Sequence, residues 1–314
     1  HSRTPLHMAA MGGHEATVRL LLSNSDVWCD VDDIHRDTPL ILACEAGHLG
    51  VVKILASHPG VDINMTSIYS SPLMGAALKG HSKIVEFLLG LPNIKPELTN
   101  AMGRTALSLA GHHGHEDIIK LLITRIQEKP DKDGRKLISH AAEKGYTGIV
   151  RLLAERDPTE VVHRDRSGQT PLHYAAKSNM DGSCVKYLLS LPNVDADAKM
   201  SQGATPLMFA VQAGNIEAVR LLVQRKDVDV NWRTNYRPYD RTALILAAVK
   251  PKAEIAQLLL QREDIDVNVR DKNSDATALH YAAVHSEGLE VLRMLVARGD
   301  ADPTLENNYP RTPL

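Results

Sequence analysis

The sequence predicts an all-α solenoid of about nine helix-turn-helix repeats, and three observations predict it. A Thr-like position recurs at Thr4, Thr38, Ser71, Thr105, Lys136, Thr170, Thr205, Thr242, Thr277 and Thr312, at intervals of 31 to 37 residues. Each full interval holds two short apolar stretches at helical spacing, parted by glycine or a substitute. Apolar residues make up 43% of the 314, but aromatic ones only 4%, so the core they build is aliphatic.

The first repeat shows why each element forms. Thr4 can cap a helix N-terminus, because its hydroxyl accepts an otherwise unpaired N–H of the first turn. Pro5 suits the first helical position, where a missing N–H costs nothing. Leu6, Ala9 and Ala10 face inward, and the alanines let neighbouring helices approach closely. Gly13 ends the helix in the left-handed conformation that glycine adopts most cheaply. A second helix runs from about Glu15 to Ser23 on the spacing of Val18, Leu21 and Leu22, and a polar stretch leads to the next Thr. Helices this short are marginal alone, so each pair must bury its apolar side against the next.

The Thr-Pro-Leu-His, Ala-Ala, Gly-His and Leu-Leu-Leu elements, in register across nearly the whole chain, resemble ankyrin repeats. Segments such as Pro59-Gly60-Val61-Asp62-Ile63-Asn64 and Asp227-Val228-Asp229-Val230-Asn231 resemble the long-fingered repeats of fungal ankyrin arrays. The resemblance implies β-hairpin-like fingers between repeats, first helices lining a concave face, and a protein as the partner.

Repeats two and three keep the pattern, with Thr38-Pro39-Leu40 before Gly47-His48 and Ser71-Pro72-Leu73 before Gly80-His81. Repeat four has Ala106 for proline. Repeat five lacks both cap and proline, with Lys136-Leu137 in their place, and the connector before it, Arg125 to Gly134, lacks the Val-Asp-x-Asn phrase. A softer seam or a change of curvature is expected there. Asn179 takes the glycine position in repeat six, where its tolerance of the left-handed region should preserve the turn. Pro251 takes it in repeat eight and cannot reach positive φ, so that turn must differ. Ser286 takes it in repeat nine, followed by one extra residue.

The unbroken period makes residues 1–314 one array, read as a segment of a longer protein and as a monomer in isolation. Lys plus Arg number 36 against 38 Asp plus Glu, so no overall basic character points to nucleic acid. No apolar run approaches the roughly 20 residues that span a bilayer. Cys29, Cys44 and Cys184 form no CxxC pair, and free thiols fit a reducing, cytoplasmic setting.

The finger before repeat eight concentrates hot-spot side chains: Trp232, Arg233, Tyr236, Arg237, Tyr239 and Arg241. Ile34, Tyr69 and Met102 fall near other finger tips, where equivalent apolar residues would form a binding strip. His112, His113 and Glu143 occupy exposed positions on successive first helices and would tune specificity, with Lys177 as the next in the row. Seven histidines (His7, His14, His48, His81, His115, His173 and His280) fall at repeat-pattern positions suited to capping and inter-repeat bonding. The His112-His113-Gly114-His115 cluster does not suit zinc, because adjacent helical residues do not share a face. The chain has no nucleophile elbow, phosphate-binding glycine loop or HExxH motif. The expected function is therefore protein recognition without catalysis, cofactor or metal. Two alternatives are the sensor array of a larger fungal signalling protein of NACHT type, and a groove enzyme or small-molecule binder using His112, His113 and Glu143.

Overall fold

The computed structural model describes residues 3–24, 27–178, 180–234, 241–250 and 252–313. Among these are eighteen α-helices, two short 3-10 turns and no strand. The chain divides into two compact units, His1–Lys129 and Pro130–Leu314, and the division falls within the connector that lacks the Val-Asp-x-Asn phrase.

The first unit holds α1 (Pro5–Met11), α2 (Glu15–Leu22), α3 (Pro39–Ala46), α4 (Leu49–Ala56), α5 (Pro72–Lys79), α6 (Ser82–Leu89), α7 (Ala106–His113) and α8 (Glu116–Leu122). The second holds α9 (Leu137–Glu143), α10 (Thr147–Arg156), α11 (Pro171–Lys177), α12 (Ser183–Leu189), α13 (Pro206–Ala213), α14 (Ile216–Val223), α15 (Ala243–Val249), α16 (Ala253–Leu260), α17 (Ala278–Val284) and α18 (Leu289–Ala297). Within each unit the odd-numbered first helices pack on one another in chain order, and the even-numbered second helices do the same. The architecture is an α-solenoid of helix pairs. Its core runs through both rows: Leu6, Ala10, Leu40, Ala43, Leu172 and Ala176 from first helices, with Val52, Leu55, Val85, Leu88 and Leu188 from second helices, are all buried.

The caps follow the residues that the repeat supplies. Thr38, Ser71, Thr105, Thr205 and Thr242 each accept a first-turn N–H, at 3.2 to 3.4 Å. Lys136 makes no such bond; its ammonium pairs instead with Glu160 at 2.7 Å. Where histidine stands three residues after the cap, one ring joins two repeats. The backbone N–H groups of Thr4, Thr170 and Thr277 donate to Nδ1 of His7, His173 and His280 at 3.1, 3.1 and 3.2 Å. With Nδ1 accepting, the proton resides on Nε2, which donates to the carbonyls of Asp37, Ala204 and Arg311 in the next finger at 3.0, 3.2 and 3.1 Å.

A second set of side chains reaches backward. Nε2 of His48, His81 and His115 donates to Met11, Glu45 and Leu78 carbonyls, the unpaired C-terminal acceptors of the preceding first helix, at 2.9, 3.0 and 3.1 Å. Asn215 does the same toward Ser178, and Lys252 toward Val211 and Gln212. Gly47 shows why glycine precedes the histidine: its φ is +84°, and a Cβ there would stand 2.6 Å from the His81 ring. In repeats six, eight and nine the first helix ends instead in an extended residue, Ser178, Lys250 or His285. Asn179 and Pro251 themselves lie outside the described residues. The extra residue of repeat nine is absorbed in the 3-10 turn Ser286–Gly288.

The fingers are not hairpin ladders. The Asn of the Val-Asp-x-Asn phrase spends its side chain between repeats: Asn64 donates to the Asn93 carbonyl and accepts from Lys95 N–H, both at 2.8 Å. Asn231 and Asn268 repeat the arrangement on Asp264/Asp266 and Asp300/Asp302. In the second unit Arg225, Arg262 and Arg298, each paired with the Asp two residues on, donate to carbonyls of the preceding repeat.

Two outcomes follow. Gly47→Ala is expected to cost about 1 kcal/mol for positive φ and more for the His81 clash. In denaturant titrations the loss should therefore be smaller when His81→Ala is also present. Burial holds the His173 imidazole down at about 4, from an ordinary 6.5, despite its bond to the Ala204 carbonyl. The unfolded chain then takes up the proton first. The His173 contribution should be intact above about pH 6.5 and fall away toward pH 4, by roughly 3 kcal/mol in all. His173→Gln should flatten that part of the stability–pH curve.

Candidate functional site

The finger tips of the first unit are built by side chains that close the turn on itself. Asp33 Oδ1 accepts from the N–H groups of His35 and Asp37 at 2.8 and 3.1 Å, and Asn100 Oδ1 from Met102 and Arg104, both at 3.0 Å. Ser67 Oγ does this for Tyr69 and Ser70. With the turn held from below, the residues above it point outward: Ile34, Tyr69 and Met102 are 56%, 53% and 58% exposed. Neighbouring tips are also tied together. Ile68 N–H donates to the His35 carbonyl, Ala101 N–H to the Ile68 carbonyl, and Asn100 Nδ2 to the Tyr69 carbonyl at 2.7 Å. Ile34, Ile68, Tyr69 and Met102 thus stand on three consecutive, linked tips. The second unit uses the same closure at Asp131, Asp165, Asp271 and Asn307. There most of the exposed tip residues are polar, such as Lys132, Asp133, Arg166 and Gln202.

His112 and His113 lie exposed in the last turn of α7, their rings edge to face at 5.3 Å, and His113 stacks on His115 at 6.2 Å. Partial burial, then the neighbouring charges of His112, His115, Lys79 and Arg104, hold His113 below its ordinary value, so near neutrality it is an uncharged donor and acceptor. Glu143, in the second unit, is half-buried and already engaged. Burial opposes its charge, but the Arg135 hydrogen bond and charge, with Lys177 at 3.8 Å, outweigh that and keep the carboxyl below its usual range. Arg135 in turn lies over the Tyr174 ring, 4.2 Å from its centroid, while the Tyr174 hydroxyl donates to Asp165 at 2.5 Å. No three His, Cys, Asp or Glu side chains among the described residues converge as metal ligands.

In the finger before repeat eight, the described side chains are spent on the array itself. Trp232 is half-buried, donates its indole N–H to the Gly203 carbonyl at 2.7 Å, and carries the Lys199 ammonium 3.8 Å from its ring centroid. Arg233 donates to the Arg270 carbonyl. Arg241 bonds the Tyr281 hydroxyl at 3.0 Å and sits 3.6 Å from Asp271. Tyr236, Arg237 and Tyr239 lie outside the described residues. The sequence reading passed over one apolar depression between α13 and α15. The signal was available: Phe209, Leu246 and Val249 are apolar at first-helix positions equivalent to His140 and Glu143.

The profile of a family described as "Ankyrin repeats (3 copies)" matches residues 1–67, 73–165, 157–234 and 228–307. The human transient receptor potential cation channel subfamily A member 1 is 32% identical over 70% of this chain, which spans 20% of that protein. Its Caenorhabditis elegans homologue is 31% identical over 42% of this chain and 11% of its own length. The target of rapamycin complex 2 subunit AVO2 of Saccharomyces cerevisiae is 25% identical over 54% of this chain and 41% of its own. The chain thus spans less than half the length of each of these relatives. No helix among the described residues is long and apolar enough to cross a membrane.

Trp232→Ala is expected to lower unfolding free energy by about 1–2 kcal/mol, for the lost indole hydrogen bond and cation–π contact. Urea titration beside Trp232→Phe, which keeps an aromatic ring under Lys199 and loses the donor, would separate the two.

Proposed function

This chain belongs to the ankyrin-repeat family, and on that premise we propose that it is a non-catalytic recognition array holding a protein partner against its finger tips and first-helix face. One observation carries the reading: the row of Ile34, Ile68, Tyr69 and Met102 on three linked tips. Single exposed apolar residues are ordinary, but several held side by side on a rigid edge mark an interaction surface. Their display costs little folding energy, because the turn beneath is closed by Asp33, Ser67 and Asn100. His113, uncharged near neutrality, and the exposed His112 would add hydrogen-bond selectivity beside that row.

In this reading the two units serve as one monomeric array, part of a larger polypeptide as in the longer relatives, within a reducing compartment. The thiols suit such a setting: Cys29, Cys44 and Cys184 are all free, and burial pushes the Cys184 thiol up to about 12. The engagement of Glu143 by Arg135 and Lys177 argues against its use as a catalytic acid or base.

The test is affinity capture from source cells with the wild type beside an Ile34→Ser/Tyr69→Ser/Met102→Ser variant. Removing several hot-spot side chains should cut capture of the specific partner at least tenfold while the melting curve stays the same. No specific partner with the wild type, or equal capture by both proteins, would refute the reading.

A further inference from the structure

We infer that the depression between α13 and α15 is a second docking subsite, one that takes an acidic peptide segment carrying a bulky apolar side chain. The inference rests on the recognition reading above but uses a different unit and different residues.

The depression encloses about 460 Å³, and its apolar wall is Met200, Met208, Phe209, Leu246 and Val249. Its origin lies in a departure from the pattern of neighbouring repeats. On α11 and α17 the position equivalent to Phe209 is Tyr174 or Tyr281. Each of these tyrosines is covered by an arginine, Arg135 or Arg241, and its hydroxyl donates to a finger aspartate, Asp165 or Asp271, at 2.5 Å. Before α13 the finger residue in the aspartate's place is Met200, whose N–H bonds Ala204 as the N–H of Asp165 bonds Gln169. Phe209 has no hydroxyl to anchor, and Gln169 stands where an arginine would cover it. The polar lid of the neighbouring repeats is thus replaced by a thioether and an open aromatic face. Phe209, Leu246 and Val249 are left half-buried.

Among the described residues, the charge lining this apolar floor has one sign. The ionisable side chains that line it among the described residues are Arg241, Lys250 and Lys252, and none is a carboxylate. Lys252 is held by the carbonyls of Val211 and Gln212 at 2.8 and 2.9 Å, and Arg241 is turned toward Tyr281 and Asp271. Lys250, exposed at the end of α15, forms no ion pair with a described residue, which leaves it to a guest. An apolar side chain seated on Phe209 and Leu246 would bring a flanking Asp or Glu to Lys250, and an acidic chain would meet no like charge among the described wall residues. The guest can continue as an extended segment past the rim. Val284, at the position on α17 equivalent to Val249, is 79% exposed and extends the apolar row.

The experiment pans a random 12-residue displayed peptide library on the intact chain, then measures the enriched sequence as a labelled synthetic peptide by fluorescence anisotropy. The expected enrichment is a bulky apolar residue within two positions of acidic ones. Lys250→Glu, a surface change that leaves the helices intact by circular dichroism, should weaken binding tenfold or more. Val249→Lys should do the same, and the Ile34/Tyr69/Met102 variant should not. No enrichment, enrichment without acidic residues, or affinity unmoved by both Lys250→Glu and Val249→Lys would overturn the subsite. If the enriched peptides are lost only by the finger-tip variant, the subsite fails while the recognition reading stands. Failure of that broader reading would show separately, as no specific partner in affinity capture.

Discussion

A helix of seven or eight residues has almost no interior. Most of its N–H groups near the start and C=O groups near the end lack a partner within the helix. In this chain those groups are satisfied from the neighbouring repeat as well as from the local cap. His48, His81 and His115 serve the C-termini of α1, α3 and α5, and Asn215 and Lys252 serve those of α11 and α13. Imidazole, amide and ammonium have only a donor in common, and that is all the position requires. Burial of Leu and Val across the same seams adds the apolar contribution. The nearest-neighbour character of the fold arises because no pair is complete alone.

The same logic sorts polar from exposed residues in the fingers. The Asp, Asn and Ser side chains at the finger bases take up the N–H groups that a hairpin would spend on a partner strand. Adjacent fingers then touch through single backbone bonds in place of a continuous ladder. A rigid tip and a free side chain coexist because the first is secured by atoms that the second does not use.

Much of this was readable from sequence, and the exceptions have identifiable causes. The Thr-Pro start and the positive-φ glycine follow from local chemistry and show in a single repeat, and the period shows in their recurrence. Of the seven repeat-pattern histidines six bridge repeats as expected, and His14 makes no such bond among the described residues. The fingers read as hairpin-like because Val-Asp-x-Asn alternates like a strand, yet Asn64 and Asn231 direct their amides to the next connector. Trp232 and Arg241 read as partner residues because they sit in a long connector. Their engagement with Gly203 and Tyr281 depends on residues 29 and 40 positions away, which no local pattern encodes. The depression by Phe209 was missed for a related reason. It exists by contrast with Tyr174 and Tyr281; the change to Phe209 shows in the aligned repeats, but the arginine cover over those tyrosines shows only in space.

The self-closed finger tip has an evolutionary corollary. Where Asp33 or Asn100 holds the turn, Ile34 and Met102 carry little packing duty. Mutation can exchange such residues without passing through unfolded intermediates. A lineage with this scaffold can therefore explore new ligands one side chain at a time, under selection for affinity largely decoupled from selection for foldedness.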